Sequence, residues 1–252
     1  MVIVSSNPDT LLRRYRASNQ QSSILNRQLS HRLILGIDTS TYNCSVGLVK
    51  DGKVIGEKFI LGKSVASESL LGLIDNLFDE DIKFSEIDAI AVSIGPGSYT
   101  GLRIGLSTAK GLAMPGNLPI LPVPTLSVLK SVAQTEWDEN LLLFIRSRQD
   151  LVYFTSSFKD ERFILSPKIF HDHFDTALSK YPQISVVVGN CEFPVDASRR
   201  LYVRYPRGGH VALIAWYRYD ELLSLSKPDL EPEYFTNLEL KKWNLNDRLK
   251  YS

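Results

Sequence analysis

The run Leu33 to Ile37 is apolar apart from Gly36 and ends at Asp38, Thr39 and Ser40, the pattern of a buried strand with a polar exit. Cys44 to Lys50 reads as a second strand. Asp51-Gly52 is a two-residue hairpin signal, and Val54 to Ile60 is a third strand. Ser64 and Ser67 offer N-caps to a helix over 67–79, with Leu70, Leu71, Ile74, Leu77 and Phe78 on one face. Ala89 to Ile94 is a further apolar strand, broken at Gly95-Pro96-Gly97. Ser98 and Thr100 are then available as caps. Leu102, Leu106, Ala109, Leu112 and Ala113 recur at helical spacing and predict a helix over 101–113, stopped by Pro115-Gly116. Leu118 to Val123 gives a short strand, and Thr125 caps a helix reaching about Trp137.

The second half follows the same plan more loosely. Leu141 to Ile145 and Leu151 to Phe158 alternate like paired strands, Arg162 to Phe170 is a candidate third, His171 to Lys180 is a helix, and Ile184 to Val188 is an apolar strand ending at Gly189-Asn190. The order β-β-β-α-β therefore occurs twice, around 33–94 and 141–188, without sequence identity between the copies. A helix over His210 to Leu225 packs back on the body through Ala212, Leu213, Ala215, Trp216 and Leu222, and Pro228 and Pro232 frame a loop before Tyr234. The organisation expected is a leader (1–32), an N-terminal subdomain (33–138), a C-terminal subdomain (139–235) whose last helix returns to the first, and a tail (236–252).

Composition adds exclusions. A chain of 252 residues suits one large domain or two small ones, and a net charge of +1 gives no global attraction to nucleic acid or membrane. Two lone cysteines, Cys44 and Cys191, are too few for a disulfide framework or a four-cysteine zinc site, which fits a reducing cytoplasm. No apolar run reaches the ~18 residues of a membrane span. The leader holds five arginines, six serines and one acid, Asp9. It is compatible with a transit peptide, with translation starting near Leu33, or with a dispensable extension; the last is preferred here. In the tail, Lys241, Lys242, Arg248 and Lys250 outnumber Glu239 and Asp247, giving a weakly basic, solvated end.

The candidate chemistry gathers at the strand–glycine turn–helix join. Such joins present free backbone N–H groups to anions, although this one matches neither the P-loop nor the dinucleotide glycine pattern. The string Gly95-Pro96-Gly97-Ser98-Tyr99-Thr100-Gly101-Leu102-Arg103-Ile104-Gly105 closely resembles the motif of the TsaB (YeaZ) family. Residues 33–48 and Pro122 to Leu129 resemble the same family, and the likeness is dense from Leu33 to about Ala133. Downstream, Arg148, Val152 and Tyr153 match, but the preceding family aspartate is Arg146, and Gly189-Asn190 is half of a Gly-Asp-Gly turn. In the first helix Ala66 replaces a family histidine and Gly72 a proline.

The resemblance implies an α/β fold of two tandem ribonuclease-H-like βββαβ subdomains, the actin-like ATPase arrangement. It implies a bacterial role in threonylcarbamoyl-adenosine modification of tRNA, with a TsaD-like threonylcarbamoyltransferase and a TsaE-like ATPase as partners, a homodimer as the competing assembly, and tRNA met only indirectly. It places an interface on helices 67–79 and 101–113, with Leu70, Leu71 and Ile74 as apolar centre and Arg103 and Lys110 at a polar rim. Asp38, Ser40, Gly95, Gly97, Ser98, Thr100 and Gly101 form the motif where actin-like ATPases hold phosphates and magnesium; Asp38 either orients a hydrated cation or hydrogen-bonds its own turn. No cofactor is expected on the chain alone, with ATP or ADP and magnesium only at a complex interface. TsaD carries two metal-binding histidines four apart, and the matching positions here are Thr125 and Leu129, so no metal is expected. His171 and His173 are two apart; on a helix they diverge, and on a strand they would share a face and could bind metal, but no Cys or further His accompanies them. No hydrolase motif appears. The expected function is a non-catalytic subunit supporting TsaD; the rivals are an autonomous actin-like ATPase or kinase, or a peptidase.

Overall fold

The computed structural model describes residues 31–62, 65–157 and 167–235. Most of the leader, Ser64, most of the candidate strand 162–170 and the tail from Thr236 lie outside them.

The first sheet contains β1 (Leu33–Asp38), β2 (Asn43–Lys50), β3 (Lys53–Leu61), β4 (Ala89–Gly95) and β5 (Ile120–Pro124), ordered β3-β2-β1-β4-β5. β1, β2 and β3 are antiparallel, and β4 and β5 run parallel to β1. Asp51 and Gly52 both take positive φ, which lets Lys50 pair directly with Lys53 across the expected turn. β1 and β4 are buried on both faces, which is why their sequences are apolar without alternation. Leu35, Ile37, Ile90 and Val92 face α1 (Val65–Asp75) and α2 (Tyr99–Ala113), which pack side by side. Ile34, Ala89 and Ala91 face the opposite way, onto α5 (Gly208–Tyr217).

The second sheet repeats the order. β6 (Leu141–Arg148), β7 (Leu151–Ser157), β8 (Phe170–His173), β9 (Val186–Gly189) and β10 (Arg200–Val203) lie as β10-β9-β6-β7-β8, with β6, β7 and β8 antiparallel and β9 and β10 parallel to β6. Two sheets of the same strand order are the actin-like α/β arrangement expected. α3 (Thr125–Ala133) is wedged between them and wholly buried, with Val128 against the first and Leu126, Leu129 and Ala133 against the second. α4 (Phe174–Lys180) covers the far face of the second sheet, where Phe174 meets Phe144.

Several elements differ from expectation. His171 and His173 belong to strand β8, because Phe170 and His171 pair with and stack on Phe154 and Tyr153; the helix starts only at Phe174. α3 ends at Ala133 and is capped by Pro124, leaving the buried Thr125 hydroxyl without a partner. The late helix is two helices. α5 breaks at Arg218, and α6 (Tyr219–Leu225) turns along β5.

α5 lies backbone to backbone on the first sheet. A Cβ on Gly36 would overlap the Gly208 carbonyl, and one on Gly47 would overlap the Gly209 backbone. Its N-terminus is capped from the sheet: Gly208 N donates to Ser45 Oγ (2.9 Å) and Gly209 N to Glu57 Oε1 (2.9 Å), while Arg207 pairs with the same Glu57. After α6 a strap, 226–235, crosses the first sheet; Ile120 N donates to Ser226 Oγ (3.3 Å) and Glu233 N to Ile94 O (2.8 Å). Among the described residues no helix is long and apolar enough to cross a membrane.

Candidate functional site

The end of β1 and the glycine turn after β4 come together as one joint. The Asp38 carboxylate is fully buried and accepts from Ser93 Oγ (2.5 Å), Ser40 Oγ (2.9 Å) and Ser40 N (3.3 Å). Burial pushes this carboxyl up to about 6, against the opposing pull of its hydroxyl and N–H donors. Thr39 Oγ1 donates to Gly101 O (2.7 Å) and Ser98 N to Ser40 O (2.7 Å). Ser98 is the N-cap of α2, accepting from Gly101 N (3.2 Å).

The glycines are explained by what presses on them. A Cβ on Gly97 would overlap Ser40 O, and Cβ atoms on Gly101 and Gly105 would overlap Thr39. Gly95, at φ 132°, would bring a Cβ to 2.5 Å from Glu233 O. The cradle is therefore filled by the chain's own backbone from both sides. Ser98 N and Gly101 N, at its heart, already donate within the chain, and every donor set around Asp38 is internal. Asp38, Ser40, Gly95, Gly97, Ser98 and Gly101 are thus brought together, whereas Thr100 stays exposed on the first turn of α2.

Beside this joint lies the outer face of α1 and α2. Leu70 and Ile74 are 2% and 4% exposed and belong to the core against the sheet, which corrects their assignment to an exposed apolar centre. Leu71, one position along the helix, is 62% exposed, and Met114, at the end of α2 and absent from the sequence reading, is 79% exposed. Arg103 is exposed, and Lys110 is half-buried in the last turn. Gly72 and Gly111 are exposed helix residues with nothing within 4 Å of an added Cβ. No packing inside the chain requires glycine there, although each weakens its helix by roughly 1 kcal/mol relative to alanine.

The histidines are tied up elsewhere. His171 is half-buried and stacks on Tyr153, with its Nε2 buried and without a partner among the described residues, and the exposed His173 bonds the exposed Asp150 through Nδ1 (2.7 Å). His210 is half-buried, its Nδ1 2.9 Å from Ser131 Oγ, and loss of solvation pushes it down to about 4. Ser131 is itself fully buried, so its hydroxyl faces the interior. Thr125 and Leu129 are both buried on α3. Among the described residues no group of three or more His, Cys, Asp or Glu is placed to hold a metal.

Two features escaped the sequence reading: the seating of α5 on Gly36 and Gly47, and the strap closing the turn at Gly95. Glycines inside strands are the signal for the first, since they mark close backbone approach. The strap carries no such signal.

Comparison with known proteins adds relatives. A model described as TsaD, tRNA N6-adenosine threonylcarbamoyltransferase, matches residues 64–185. The tRNA threonylcarbamoyladenosine biosynthesis protein TsaB of Escherichia coli K12 is 36% identical over 153 residues, 55% of this chain and 64% of that protein. The TsaB of Haemophilus influenzae is 33% identical over 132 residues, 51% of this chain and 55% of that protein. The chain thus spans less than two thirds of these relatives. A tRNA N6-adenosine threonylcarbamoyltransferase of Staphylococcus epidermidis is 35% identical over 111 residues, 37% of this chain and 33% of that protein. In fold, YeaZ from Pseudomonas aeruginosa superposes with a TM-score of 0.65 at 24% identity, covering 80% of this chain and all (100%) of that one.

Proposed function

We propose that the chain is a member of the TsaB (YeaZ) family and a non-catalytic subunit of the machinery that makes threonylcarbamoyladenosine in tRNA. It docks a TsaD-like threonylcarbamoyltransferase on the outer face of α1 and α2. Transfer of the threonylcarbamoyl group to the tRNA adenosine takes place on that partner, a TsaE-like ATPase completes the assembly, and tRNA is met through the complex in the cytoplasm. A second copy of this chain competes for the same face.

One observation carries this reading. The turn where actin-like ATPases hold phosphate is filled by Thr39, Ser40 and Glu233, while the adjoining helix pair leaves Leu71, Gly72, Gly111 and Met114 uncovered. The joint's role is then mechanical: it fixes α2 against β1 and β4 so that the helix face is rigid before binding. No nucleotide step is assigned to this chain, and any ATP or ADP with magnesium is held where the partner contributes to the site.

The test is a reconstitution of tRNA modification from the TsaD-like transferase, the ATPase and threonylcarbamoyl adenylate, with and without this chain. The account expects product to fall at least tenfold without it. An unchanged yield rejects the proposal.

A further inference from the structure

Five arginines among the described residues are tied to acids: Arg199 to Asp196, Arg200 to Glu139, Arg204 to Glu136, Arg207 to Glu57 and Arg218 to Glu221. Arg103 is not. It is exposed on α2 and makes no hydrogen bond or ion pair to a carboxylate among the described residues. Its guanidinium is nevertheless held in place. Nε donates to Tyr234 Oη (3.0 Å), and the guanidinium carbon sits 4.2 Å from the centre of the Tyr99 ring. The Tyr99 and Tyr234 rings pack at 4.9 Å, inclined by 33°. Tyr234 follows Glu233, whose N–H donates to Ile94 O beside Gly95. Three separate segments, the end of β4, the first turns of α2 and the strap, thus converge to orient one cation.

This arrangement uses Nε and one ring-facing side of the guanidinium. Both Nη groups, the pair whose spacing suits a carboxylate, remain without a partner among the described residues. Tyr234 Oη acts as acceptor to Arg103 and keeps its own hydrogen to donate. The rotamer freedom that an exposed arginine loses on binding is already lost here, which is the condition for preorganised recognition. Arg103, Ser107 and Gly111 are spaced by four and therefore share one exposed stripe of α2, with Arg103 about 12 Å along the axis from Gly111. A helix lying on the open glycine reaches Arg103 without leaving that stripe.

We propose that Arg103 and Tyr234 form a preset clamp for an aspartate or glutamate side chain of the protein partner, with Tyr234 as the positioning residue. The proposal rests on the reading of the α1–α2 face as the docking surface and names the polar contact that orients the partner on it. A carboxylate is favoured over the phosphates of an RNA. Asp229, Glu231 and Glu233 line the same strap, and Glu231 lies close enough to act on Arg103. These acids repel a polyanion far more than they repel a single side chain.

Calorimetric titration of the TsaD-like transferase with the full chain tests this, comparing wild type, Arg103→Glu, Arg103→Lys, Tyr234→Phe and Leu71→Asp, each checked for an unchanged melting temperature. Arg103→Glu is expected to weaken binding at least tenfold, with recovery when one partner Asp or Glu is reversed to Arg. Tyr234→Phe keeps the ring and should cost several-fold, with a smaller dependence on salt; Arg103→Lys should cost a similar factor because it loses the fork. Wild-type affinity in Arg103→Glu and Tyr234→Phe, with binding lost in Leu71→Asp, overturns the clamp and leaves the docking face standing. No complex with the wild-type chain overturns both. If Arg103→Glu leaves the partner's affinity unchanged but reduces binding of tRNA to the isolated chain, Arg103 is a phosphate contact and the clamp is overturned.

Discussion

Asp38 lies at the end of β1 with its carboxyl wholly inside the protein, and burial raises it to about 6 although Ser93 and Ser40 donate to it. The folded state therefore holds this proton more tightly than the unfolded chain. Its contribution to stability is complete below about pH 4 and is lost as pH rises through about 6, roughly 3 kcal/mol at about 1.4 kcal/mol per unit. His210 works the other way. Half-buried beside Ser131, it is pushed down to about 4, so its contribution is complete above about pH 6.5 and is lost as pH falls through about 4, at most roughly 3 kcal/mol. The two slopes oppose each other over pH 4 to 6 and nearly cancel. Asp38→Asn should unmask the histidine, giving a protein that loses stability as pH falls. His210→Asn should unmask the aspartate, giving one that loses stability as pH rises from 4 to 6. Urea midpoints of both variants at pH 4.5 and 6.5 check this; parallel behaviour of the two refutes the assignment. That Asp38 would sit in a polar exit was legible from its place after an apolar run. That the exit would be fully enclosed was not, because the enclosing Ser93 arrives from a strand 55 residues away.

At the scale of elements, the glycines divide into two kinds that the sequence writes identically. Gly101 is pressed by Thr39, so Gly101→Ala must displace the β1–β2 turn; a loss of roughly 2 kcal/mol or more is expected in thermal or urea unfolding. Gly72 and Gly111 face open space, so Gly72→Ala and Gly111→Ala should each stabilise the isolated chain by roughly 1 kcal/mol. If a partner helix packs on them, the same changes weaken assembly, a split that separates a docking face from ordinary surface. Element type was legible where period and punctuation agreed, as in β1, β4, α2 and the Asp51-Gly52 turn. It failed at β8, where polar His171 is held in a strand by Tyr153 across the sheet. The helical stripe of α1 likewise grouped Leu70, Leu71 and Ile74. Neighbours on a helix point about 100° apart, and only the position of the sheet decides that 70 and 74 go inward while 71 goes out.

For the whole molecule, chain order and packing order part company. α5, α6 and the strap follow the second sheet in sequence but build the first: α5 buries Ile34, Ala89 and Ala91, and the strap seals Gly95. Cutting the chain after Tyr205 should therefore unfold the first sheet rather than trim the second. Hydrogen exchange on the intact protein should show β1, β4 and α5 opening as one unit; independent opening of α5 contradicts this. Repeated strand order made the two-sheet plan readable, and the apolar residues of 210–225 announced the helix's return, whereas its seat on the first sheet left only Gly36 and Gly47 as a trace. The return also matters for assembly, since it stiffens the joint that aims α2. The most direct test of the central claim is co-elution of this chain with the TsaD-like transferase in size-exclusion chromatography, wild type against Leu71→Asp. The account predicts a stable complex for the wild type and separate peaks for Leu71→Asp at an unchanged melting temperature. A complex that survives Leu71→Asp intact contradicts it.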